Sequence, residues 1–159
     1  MPIRPTDELL VPIGIADSYP FYAQEMQITE PAPLYVREQV SERFDFAKQL
    51  LARRGIRLVA FDGWRSVELQ EKLYWTYMKL FALSPGLESV FADAVIPCAI
   101  RSAFELLDQS TQQILHKQNR QYVSWPSIDP LCPSPHLTGG AVDVWLYNGE
   151  QKNRPWRTV

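Results

Sequence analysis

Between Ser134 and Tyr147 a histidine is followed by two adjacent glycines and then by an aspartate set inside an apolar strand. No other stretch restricts the fold as much. Alternation from Ala141 to Tyr147 puts Val142, Val144 and Leu146 on one face and Ala141, Asp143, Trp145 and Tyr147 on the other. Such a strand has to pair with a neighbour and cover its apolar row. Gly139 and Gly140 allow a tight turn, which can carry the His136 ring back over the face that holds Asp143, where the small Ala141 leaves room. One imidazole and one carboxylate suit zinc, but two protein donors do not complete a site. A third has to come from elsewhere.

Six of the thirteen prolines fall within residues 1–34, so extended, turn-rich packing and not a helix is expected there. From Val36 to Arg54 the apolar residues Val40, Phe44, Ala47 and Leu51 recur at helical spacing before Gly55, which predicts an amphipathic helix. Ile56–Phe61 reads as a buried strand stopped by Asp62 and Gly63. Ser66 is suited to cap a second helix, with Glu68 in its first turn and Leu69, Leu73, Tyr77 and Leu80 as its stripe, running to about Ala82. Residues 98–118 are expected to be helical in part, with the pattern broken around Ser110 and Thr111. A loop with four prolines spans Tyr122 to Pro135, and a polar tail follows Tyr147. Together these elements predict a single α+β domain over residues 1–159, with a small, mostly antiparallel sheet flanked by helices.

A chain of this length buries roughly two thirds of its unfolded surface without staples. The formal net charge of -2, with no run of like charges, argues against nucleic acid or an anionic membrane as partner. No apolar stretch approaches the ~20 residues of a membrane span and no leader pattern opens the chain, so a cytoplasmic location is expected. Cys98 and Cys132 read as free thiols, and the prolines on either side of position 134 constrain any pairing of Cys132 with His136. His116 lies in a polar segment, where a solvated or capping role is expected. Arg65 stands at a strand-to-helix junction. By itself it reads as a surface arginine paired with a carboxylate, but a helix start is already positive, which tilts the reading towards an anionic or oxyanionic partner. Trp64, Trp75, Trp125 and Trp145 are expected in the core or in pocket walls.

Ser134-x-His136-x-x-Gly139-x-Ala141-x-Asp143 resembles the first metal-binding motif of the zinc peptidases that cleave D-alanyl peptides. The run Leu34-Tyr-Val-Arg-Glu-Gln-Val-Ser-Glu-Arg-Phe44 and the segment Phe61-Asp-Gly-Trp-Arg65 look like the dipeptidase branch, the D-alanyl-D-alanine dipeptidases of the vancomycin-resistance type. The resemblance covers most of residues 34–146 and is thinnest between 83 and 121. It implies a D-Ala-D-Ala peptidase/hedgehog-like fold and hydrolysis of the D-alanyl-D-alanine dipeptide in peptidoglycan metabolism. It further implies Zn2+ held by His136 and Asp143, an oxyanion stabilised by Arg65, and substrate contacted by Ser134. His136 and Asp143 are then expected within a few ångströms of each other, with Arg65 lining the same cavity.

The chain departs from the family twice. Ser66 stands where the family usually has proline, which is closer to the D,D-carboxypeptidases that trim peptidoglycan stem peptides. No histidine follows Asp143, whereas the family takes its general-base glutamate and third zinc ligand from a later Glu-x-x-His segment. The expectation is therefore an incomplete domain whose site is finished by a further segment or a partner chain packing on the 141–147 strand. The alternatives are a D,D-carboxypeptidase, or an inactive relative that binds a peptide or a metal.

Overall fold

In the computed structural model, residues 7–82, 87, 89–129 and 131–148 are described. They form an α+β chain with two two-stranded antiparallel sheets and six α-helices. Contacts group the chain into two compact units, one of Arg65–Leu137 and one of Pro2–Trp64 with Thr138–Val159.

In the second of these, β1 (Leu10–Pro12) pairs antiparallel with β2 (Tyr35–Arg37), and β3 (Ile56–Asp62) pairs antiparallel with β4 (Asp143–Asn148). A short 3-10 turn (Ile15–Asp17) and helix α1 (Phe21–Gln24) lie between β1 and β2, and α2 (Glu38–Ala52) follows β2 directly. The core here is Ile13, Val36, Phe44, Leu58 and Ala60, with Val40, Ala47, Leu51 and Val142 packed against it. The stripe read from the sequence of α2 is therefore the one it buries. β3 hides both of its faces, since Leu58, Val59 and Ala60 are all buried. That explains why it reads as a continuous apolar run and not as an alternation.

Two expectations about this part need correction. Val36 is not the start of a helix. It is a strand residue with 0% exposure, paired across the ladder with Val11 and packed in the core. The proline-rich arm does contain a helix, α1, although only of four residues. Val142, just before β4, packs on the core, whereas Val144 and Leu146 within β4 are 41% and 52% exposed. Residues 149–159, including the polar tail, lie outside the described residues.

In the Arg65–Leu137 unit, α3 (Val67–Phe81) packs on α4 (Pro97–Glu105) and α5 (Gln109–Asn119), and α6 (Pro135–Thr138) comes last. Ser66 caps α3 as expected, its side chain accepting from the Leu69 amide at 3.1 Å. The buried face of α3 is turned from the expected stripe. Gln70, Leu73, Tyr74, Trp75 and Met78 are buried, and Leu80 is half exposed. The pattern expected to break around Ser110 and Thr111 breaks instead at 106–108, between α4 and α5; both residues stand in the first turn of α5, which Asp108 caps by accepting from the Thr111 amide at 3.0 Å. The serine and threonine hydroxyls on this exposed carboxylate, with that amide, hold it well below the usual carboxylate range.

Gly139 is set by two constraints. Its φ is +75°, and a β-carbon there would meet Leu10 Cδ2 at 2.4 Å. Its carbonyl also accepts from the Arg37 amide at 2.9 Å, which ties the turn before β4 to β2. Gly139→Ala is therefore expected to cost about 1–3 kcal/mol in urea unfolding, from the left-handed backbone and the contact with Leu10. Wild-type stability in that variant would mean that the turn is not held in this conformation.

Candidate metal centre

Asp143 opens β4, and its partner across the sheet is Asp62, the last residue of β3. This pairing depends on a bulge. From Ile56 to Ala60 the register is regular, and continued without interruption it would set Phe61 opposite Asp143. One extra residue at Phe61 places a carboxylate opposite Asp143 in its stead. Bulges at strand ends re-aim side chains in this way. The backbone just beyond is pinned by the Trp64 amide donating to the Tyr35 carbonyl at 2.6 Å. A β-carbon on Gly63 would lie 2.5 Å from that same carbonyl oxygen, so the approach needs glycine. Asp62 is buried, at 3% exposure, and Asp143 is half-buried.

His136 lies in α6, a single helical turn, and not in an open loop as expected. Pro135 fixes the φ of the first residue of that turn, and Gly139 ends it. One donor atom each from Asp62, His136 and Asp143 lie within 4.8 Å of one another. One imidazole and two carboxylates are a donor set that fits a divalent cation.

Arg65 is 5% exposed. Its amide donates to the His136 carbonyl at 3.1 Å, so arginine and histidine are linked through the backbone. Its guanidinium donates to Gln70 Oε1 at 2.7 Å, and Gln70 Nε2 donates in turn to the Ser124 carbonyl at 2.7 Å. Gln70 is fully buried and was not foreseen, because a glutamine in an amphipathic helix reads as surface. Ser134 immediately precedes α6 and is 4% exposed, yet its hydroxyl has no hydrogen-bond partner. A buried orphan hydroxyl costs about 1–3 kcal/mol, and such a group calls for an explanation.

His116 and the two cysteines stand apart from this centre. His116 is half-buried and is not a side-chain cap. Its ring packs against Phe104, Tyr74 and Trp125 at centroid distances of 4.6, 5.8 and 5.9 Å, and Nδ1 shares a hydrogen bond with the Tyr74 hydroxyl. Burial first, and the Arg120 charge second, push its pKa below the usual histidine value. Cys98 and Cys132 are free and exposed, as expected.

Comparison with known proteins finds one at 24% identity over 153 residues, the D-alanyl-D-alanine dipeptidase of Synechocystis sp., with 92% of this chain matched. The chain spans 56% of that relative's length. No protein-family model matches, and no solved structure matches. The chain is thus similar to a peptidase across most of its length, and it carries an Asp-His-Asp group able to hold a metal. Among the described residues no helix is long and apolar enough to cross a membrane.

Proposed function

We propose that these residues form the metal-holding and substrate-binding part of a zinc D-alanyl-D-alanine dipeptidase. The observation that carries the reading is the convergence of His136 and Asp143 with a third donor, within the motif that resembles the zinc peptidases. The likeness to the Synechocystis dipeptidase supports it independently. Bound zinc supplies a polarised scissile carbonyl and a water whose pKa is lowered to about 7.

The chain's own groups have separate tasks. Arg65, held by Gln70, presents a fixed charge to the oxygen on which negative charge develops, where a preorganised donor is worth about 10²–10³ in rate. Ser134 offers a buried hydroxyl able to pair with the peptide of the substrate. The general base is proposed to be a glutamate from outside these 159 residues, brought by a further segment or a partner chain. Ser66 does not argue for a carboxypeptidase, because capping α3 accounts for it.

The test is D-alanine release from D-alanyl-D-alanine by the mass-verified chain after loading with zinc. Slow turnover is expected, about 10²–10⁴ below that of a site with its base, abolished by a chelator and by Arg65→Ala. Turnover indifferent to chelation would remove the zinc reading. Fast zinc-dependent turnover would show that a carboxylate within these residues already acts as the base.

A further inference from the structure

We infer that Gln70 and Trp125 are positioning residues for Arg65: Gln70 holds the guanidinium, and Trp125 fixes the backbone carbonyl that decides which way the Gln70 amide faces. The inference rests on the reading of Arg65 given above and deepens it, since it traces the arginine's geometry to an aromatic cluster outside the motif. All of these residues lie in the Arg65–Leu137 unit.

The Gln70 amide has no choice of orientation. It is fully buried between two neighbours of opposite kind: Arg65 Nη1 donates to its Oε1 at 2.7 Å, and its Nε2 donates to the Ser124 carbonyl at 2.7 Å. A guanidinium can only donate and a carbonyl can only accept, so both neighbours demand the same orientation. A turned amide would set its NH2 against the guanidinium and its oxygen against the carbonyl, leaving both contacts unmade at about 1–3 kcal/mol for each buried group. Gln70 therefore holds Arg65 only as well as Ser124 is itself held.

Ser124 and Trp125 lie outside any helix or strand, so tertiary contacts have to fix them. The Trp125 ring meets Tyr74 at 4.8 Å, His116 at 5.9 Å and Trp75 at 6.2 Å, each edge-on. Contacts of this kind are worth about 0.5–1.5 kcal/mol each beyond the area they bury. Tyr74 stands one turn after Gln70 on α3, so a single helix carries both the amide and the ring on which the residue next to its acceptor packs. On the other side the Val123 amide donates to the Asn119 carbonyl at 3.0 Å, and the buried Asn119 Nδ2 donates to the Tyr74 carbonyl at 2.9 Å. Trp125 is 40% exposed, so its removal opens a notch and not a closed cavity, and the effect expected at Arg65 is out of proportion to the loss of stability.

The test uses the full chain loaded with zinc and compares wild type with Gln70→Met, Trp125→Ala, Trp125→Phe and the double variant of Gln70→Met with Trp125→Ala. Methionine keeps the bulk of Gln70 and removes both of its bonds. The first readout is the side-chain 15N spectrum of Arg65, in which a guanidinium with hindered rotation gives separate resonances for its two Nη atoms. These should merge in Gln70→Met and in Trp125→Ala, and stay apart in Trp125→Phe, which keeps an aromatic ring. The second is D-alanine release, where kcat should fall about 10–100-fold with KM little changed, the mark of a contact that matters only in the transition state. Trp125→Ala should add nothing to Gln70→Met, because both act through one path. Separate Arg65 resonances in Gln70→Met, or additive effects of the two substitutions, would overturn the inference. If wild type releases no D-alanine while the resonances behave as stated, the dipeptidase reading fails and the hold on Arg65 stands.

Discussion

His136→Ala is expected to lower the chain's affinity for zinc on the order of 100-fold or more, with little change in stability in the absence of metal. The size follows from the donor count. Outer-shell partners of metal ligands are worth about 10–100-fold in affinity, and loss of the one imidazole in the Asp-His-Asp group should exceed that. The small effect on the fold follows from where the residue is held. The side chain is half-buried, while the groups that anchor this turn, the His136 carbonyl and the Gly139 carbonyl, are backbone and survive the substitution. Calorimetric titration of both proteins with zinc, beside urea unfolding without metal, separates the two quantities. Equal affinities would remove His136 from the site. A large loss of stability would mean that the ring is structural.

The second large effect is expected at Trp75, where alanine should cost about 3–5 kcal/mol in urea unfolding. Its ring is 3% exposed and meets Phe104, Tyr74 and Trp125 edge-on at 5.4, 5.5 and 6.2 Å. Removing it leaves a cavity at the junction of α3 with α4 and deprives three other rings of a partner. The indole nitrogen is buried without a hydrogen-bond partner, so the side chain is held for its shape and area and not for its N–H. Trp75→Phe keeps an aromatic ring and removes that unpaired donor, and its cost should be less than half that of alanine. A cost below about 1 kcal/mol for the alanine variant would show that this cluster is not the core of its unit.

The elements themselves were largely legible in the sequence. Ser66 as a cap, the stripe of α2, the strand after Gly55 and the strand carrying Asp143 all follow from local rules, and the structure has them. What was hidden depends on partners distant in the chain. The α3 face was misjudged because Tyr74 and Trp75 widen its apolar side beyond the expected stripe, and because Gln70, a polar residue, is buried against Arg65 and the Ser124 carbonyl. His116 looked solvated beside glutamines and a lysine, yet Tyr74, Phe104 and Trp125 reach it from other segments.

The candidate site was half legible for the same reason. The spacing of His136, Gly139 and Asp143 is local and can be read directly. Asp62 looked only like the residue that stops a strand, since a bulge is a property of the pairing of two strands and leaves no mark in either one.

The most direct measurement of the central claim is an anomalous difference map, recorded at the zinc edge from crystals of the zinc-loaded chain. The account predicts one strong peak about 2.0–2.2 Å from a ring nitrogen of His136 and from a carboxylate oxygen of Asp143. A map with no peak at His136 and Asp143, or with zinc only at His116 or at an exposed cysteine, would contradict it.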